Sequence, residues 1–170
     1  SGLREAKVNQ YKGEAYFMLG FAYGELTAYY GDCILNNNMS LNEAYHAARS
    51  PKEKVLEYAY ECFDKAIEYL PATITGQLRP TKGAALGFKA RFALFHQDWQ
   101  TAADAAKQCM DLNVYELHDN YLDLFKADKS KELMFYFKGN LALKKGFGLF
   151  TDIRNTIIRK VSGTAGKSPS

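Results

Sequence analysis

The feature that most constrains this chain is a pair of alanine-rich segments with almost nothing between them. Thr81 is an N-cap residue ahead of an apolar pattern through Ala85, Phe88, Phe92 and Phe95, which predicts a helix from about Thr81 to His96. Two residues later Asp98 caps a second predicted helix, Trp99 to Leu112, with inward positions expected at Trp99, Ala102, Ala103, Ala106, Cys109 and Met110. A link that short forces the helices antiparallel. Ala90 and Ala102 lie at matching distances from the turn, so small residues are expected where the two helices approach most closely.

Two more helices precede this hairpin. From Val8 to Tyr30, the residues Tyr11, Ala15, Met18, Leu19, Ala22 and Leu26 recur at helical spacing, while Tyr16, Phe17, Phe21 and Tyr23 fill the remaining circumference. A helix buried nearly all round is expected, ending at Gly31-Asp32. Ser50, Pro51 and Glu53 then form a capping-box signature, predicting a helix from Pro51 to Leu70 stopped by Pro71. Its stripe of Val55, Ala59, Cys62, Phe63, Ala66, Ile67 and Leu70 opposes a charged face of Glu57, Glu61, Asp64, Lys65 and Glu68. Leu133 to Phe137 is an apolar run suited to an extended segment. Phe150 to Val161 has the pattern of a short helix, and Ser162 to Ser170 is expected to be disordered.

The fold class that follows is all-α: antiparallel helix pairs stacked as tetratricopeptide-like repeats, with an irregular C-terminal extension. The expected division is a helical domain over 1–137 and an extension over 138–170.

Composition excludes several functions. The 22 basic and 19 acidic residues nearly balance, and no run of like charge provides a footprint for nucleic acid. No stretch of about 18 apolar residues is present to span a membrane. Cys33, Cys62 and Cys109 form no CxxC pair and are expected to be small buried hydrophobes, so neither a metal site nor a disulfide framework is indicated. The chain opens on Ser1-Gly2 without an initiator Met, which favours an export signal lying outside it over a cytoplasmic location.

No catalytic set emerges. His46, His96 and His118 are scattered without orienting partners and read as surface or cap residues. Glu57 and Glu61 stand one turn apart but belong to a solvated face with Lys54 and Lys65. Gly146-Phe147-Gly148 is too short to cradle phosphates. Arg91, set among Phe88, Phe92 and Leu94, is expected to form a structural salt bridge or carbonyl contact, and Trp99 to act as a packing wedge. No enzyme, cofactor or metal is expected.

Four strings, in order, resemble the SusD/RagB family of nutrient-binding proteins. They are Lys12-Gly13-Glu14-Ala15-Tyr16-Phe17-Met18 running on to Tyr29-Tyr30-Gly31-Asp32; Phe63-Asp64-Lys65-Ala66-Ile67 before Leu70-Pro71; Arg79-Pro80-Thr81-Lys82-Gly83-Ala84-Ala85 through Ala90-Arg91; and Asp98-Trp99 to Ala106, followed by Tyr115-Glu116-Leu117, Tyr121 and Leu124-Phe125. The resemblance covers about residues 8–137. Departures occur at Cys33-Ile34, where the family usually has Val-Pro, and at Met18-Leu19-Gly20.

The resemblance implies a segment of a larger protein at the outer membrane surface, binding oligosaccharide or another nutrient and working with a TonB-dependent, SusC-like transporter. It implies that the ligand is held mainly by parts outside this chain, and it carries over no ligand-binding residue to these positions. The competing expectation is a free-standing tetratricopeptide adaptor for protein partners.

Overall fold

The computed structural model describes residues 2–36, 46–73, 79–121 and 130–136. Four helices of three turns or more follow in chain order: α1 (Gly2–Tyr30), α2 (Lys52–Tyr69), α3 (Lys82–Phe95) and α4 (Trp99–Asp111). Helix α1 packs antiparallel on α2, α3 lies in the groove between them, and α4 folds back on α3. The architecture is the expected all-α stack of antiparallel pairs. The extension expected over 138–170, including Phe150 to Val161 and Gly146 to Gly148, lies outside the described residues.

Helix α2 forms as its sequence dictates, with Val55, Ala59, Cys62, Phe63 and Ala66 buried and the five charged positions opposite them exposed. Its start differs from expectation. Pro51 is the N-cap and no side chain of its own segment caps it; instead the Asp32 carboxylate accepts from the Lys52 N–H at 2.9 Å. Ser50 is held elsewhere, because its N–H donates to the Cys33 carbonyl at 2.9 Å in an antiparallel bridge.

Helix α1 corrects the reading of a helix buried all round. Its inner face is Gly13, Phe17, Gly20, Tyr23, Gly24 and Thr27, whereas Tyr11, Ala15, Met18, Leu19, Ala22 and Leu26 are exposed. Glycine decides the orientation. A Cβ at Gly24 would lie 2.5 Å from the Phe92 ring, and one at Gly20 would lie 3.1 Å from the Ala59 carbonyl. Only a face without side chains lets α1 settle this close to α2 and α3.

The junction of these helices is aromatic. Phe17 meets Phe63, Phe88 and Phe135 edge-on, with centroids 6.1, 5.5 and 5.1 Å away, and Phe21 meets Phe88 at 5.2 Å. Each such pair contributes about 0.5–1.5 kcal/mol beyond its buried area. Phe135 belongs to the apolar run expected to be extended; residues 133–136 are indeed without helix and lay Met134 and Phe135 across the core.

Both caps of the α3–α4 hairpin match expectation. Thr81 Oγ1 accepts from the Ala84 N–H at 3.2 Å, and Asp98 Oδ1 accepts from the Thr101 N–H at 3.2 Å. Gln97 makes the turn with φ of 64°. The inward face of α4 needs correction, because Ala102, Ala105 and Cys109 are buried while Trp99, Ala103, Ala106 and Met110 are exposed. Cys109 sits against Gly83, its thiol 3.7 Å from that carbonyl, so the small stripe faces α3 and the bulky one faces away. That register keeps Ala90 level with Ala102. Phe95, expected on the inner face of α3, is also exposed.

Candidate interaction surfaces

Three surfaces stand out once the core is accounted for. The first is a shallow groove of about 200 Å³ where α2, α3 and α4 meet. Ile67, Leu86 and Ala105 floor it, and Asp64, Lys89, Asp104 and Gln108 stand around its rim. Its charged groups already have partners: Lys89 Nζ lies 2.6 Å from Asp64 Oδ1 and over the Tyr60 ring, and Asp104 accepts from the Gln100 amide. Such a rim can hydrogen-bond a small polar group but presents no nucleophile with an adjacent base.

The other two surfaces are apolar. The outer face of α1 shows Val8, Tyr11, Met18, Leu19 and Leu26 to solvent, and the outer face of α4 shows Trp99 and Met110 on either side of Ala103 and Ala106. Trp99 is 62% exposed, so the packing wedge expected of it is not formed among the described residues. The reason is steric: small residues fill the α3–α4 contact, leaving no gap for an indole.

The weighed polar residues stay apart. His46 is exposed at the end of the 46–50 stretch, and the His118 Nδ1 accepts from the Asn120 N–H. His96 caps α3, and burial, helped by nearby Lys52, lowers its pKa. Glu57 and Glu61 are exposed on α2 as expected. Burial pushes the thiols of Cys62 and Cys109 up, away from the reactive thiolate; Cys33 is half-buried in its bridge. Among the described residues no group of three His, Cys, Asp or Glu is arranged to hold a metal. Arg91 corrects another expectation: it is exposed, and its guanidinium lies 5.8 Å from the Phe88 ring centroid where a salt bridge or carbonyl contact was expected.

Some structurally decisive contacts carried no sequence signal. Tyr115 meets Thr81 through their hydroxyls at 2.6 Å, tying the segment after α4 to the start of α3. Tyr23 OH donates to the Asn36 carbonyl and accepts from the Asn36 N–H, pinning the chain beyond α1. Both contacts join residues distant in sequence, which periodicity does not register.

The helical stack has known counterparts. The sequence profile of a SusD-like family, described as "Starch-binding associating with outer membrane", matches residues 2–94. The chain belongs to this family. A SusD-like protein P2 of Formosa agariphila is 27% identical over 135 residues, covering 76% of the chain and 26% of that protein. A crystal structure of a SusD-like protein from Bacteroides fragilis shares 28% identity at a TM-score of 0.63, over 68% of this chain and 23% of its own. A SusD-like carbohydrate binding protein from Bacteroides fragilis shares 26% identity at a TM-score of 0.64, over 70% and 24% respectively. The chain thus spans about a quarter of the length of these relatives. Among its described residues, no helix is long and apolar enough to cross a membrane.

Proposed function

We propose that residues 1–136 are the helical scaffold of a cell-surface glycan-binding protein that passes nutrient to a TonB-dependent, SusC-like transporter. The match of residues 2–94 to a family described as starch-binding and outer-membrane associated carries this reading. The 26% identical carbohydrate binding protein of the same fold supports it. The role is binding, not catalysis: the histidines are dispersed and the buried thiols are held protonated.

The scaffold serves mainly as a docking and spacing element. Phe17, Phe21, Phe63, Phe88, Phe92 and Phe135 are packed on one another and are not available to stack on a sugar ring. The ligand is therefore held chiefly by parts of the protein beyond residues 1–170. Calorimetry on this chain with malto- and laminari-oligosaccharides is expected to give no saturable isotherm below about 100 μM, equivalent to roughly 5.5 kcal/mol. Biosensor titration against a purified SusC-like channel is expected to show binding. A tight oligosaccharide isotherm would relocate the sugar site onto these helices. Absence of any channel binding would remove the docking role.

A further inference from the structure

We draw no further inference here: the strongest candidate, the apolar patch at the tip of the α3–α4 hairpin where Leu94, Phe95 and Trp99 stand exposed, carries nothing, because nothing in the structure shows what covers it.

Discussion

Gly24→Ala should destabilise the fold, although alanine is the better helix former. The added methyl carbon would start 2.5, 2.6 and 2.8 Å from three carbons of the Phe92 ring, against a comfortable separation of about 3.5–4.0 Å. The ring must retreat by about 1 Å, and it is boxed in: Phe63 stacks on it at 6.0 Å, and Phe88 and Phe21 stand at 6.2 and 6.5 Å. Overpacking of such a site costs about 1–3 kcal/mol. Higher helix propensity returns about 1 kcal/mol. With the ring enclosed, the upper part of the overpacking range applies, so the net loss is about 1–2 kcal/mol, or roughly 2–8 °C in Tm for a chain of this size. Urea melts followed by circular dichroism, with Phe92→Leu completing a double-mutant cycle, measure it. The cycle should show a coupling of about 0.5–3 kcal/mol, because the smaller Leu makes room for the methyl. A Gly24→Ala variant as stable as the parent, with additive effects in the cycle, would refute the close approach of α1 to α3.

Ala102→Leu should cost about 1–3 kcal/mol by overpacking the α3–α4 contact, where Ala102 is 8% exposed, while exposed Gln108→Leu should change the urea midpoint little. Asp32→Ala should lose about 1 kcal/mol as the cap of α2 disappears, and Ser50→Ala should lose almost none, in paired thermal melts. Burial pushes both Tyr58 and Tyr60 to about 12. Ultraviolet titration should therefore show late-ionising tyrosines. Since the folded state raises these values above the ordinary 10, their contribution is complete below pH 10 and is lost as pH rises toward 12, which alkaline urea melts would register.

Helix α2 was legible because its apolar stripe and charged face are opposed, leaving one way to bury it. The caps of α3 and α4 were legible because Thr81 and Asp98 act within three residues of themselves. Helix α1 was misread for a physical reason: periodicity weighs large apolar residues, yet here glycines choose the buried face and leave Met18 and Leu26 outside. Helix α4 repeats the lesson, since Ala105 and Cys109 fit against α3 where Trp99 does not. The cap of α2 escaped notice because Asp32 lies 20 residues before the amide it accepts from. Family membership was legible in strings, whereas surfaces made by several helices, such as the groove at Asp64, Lys89 and Asp104, have no linear pattern.

The end of α1 and the start of α2 are fastened to each other twice. Asp32 to Lys52 and Cys33 to Ser50 close the stretch at its base, so the helices do not depend on the length of chain between the two fastenings. Doubling a flexible closed loop costs only about 0.6 kcal/mol in closure entropy. Chain added between Asn36 and Ser50 therefore carries little closure cost, and a foreign epitope or reporter peptide placed there should leave the aromatic junction undisturbed.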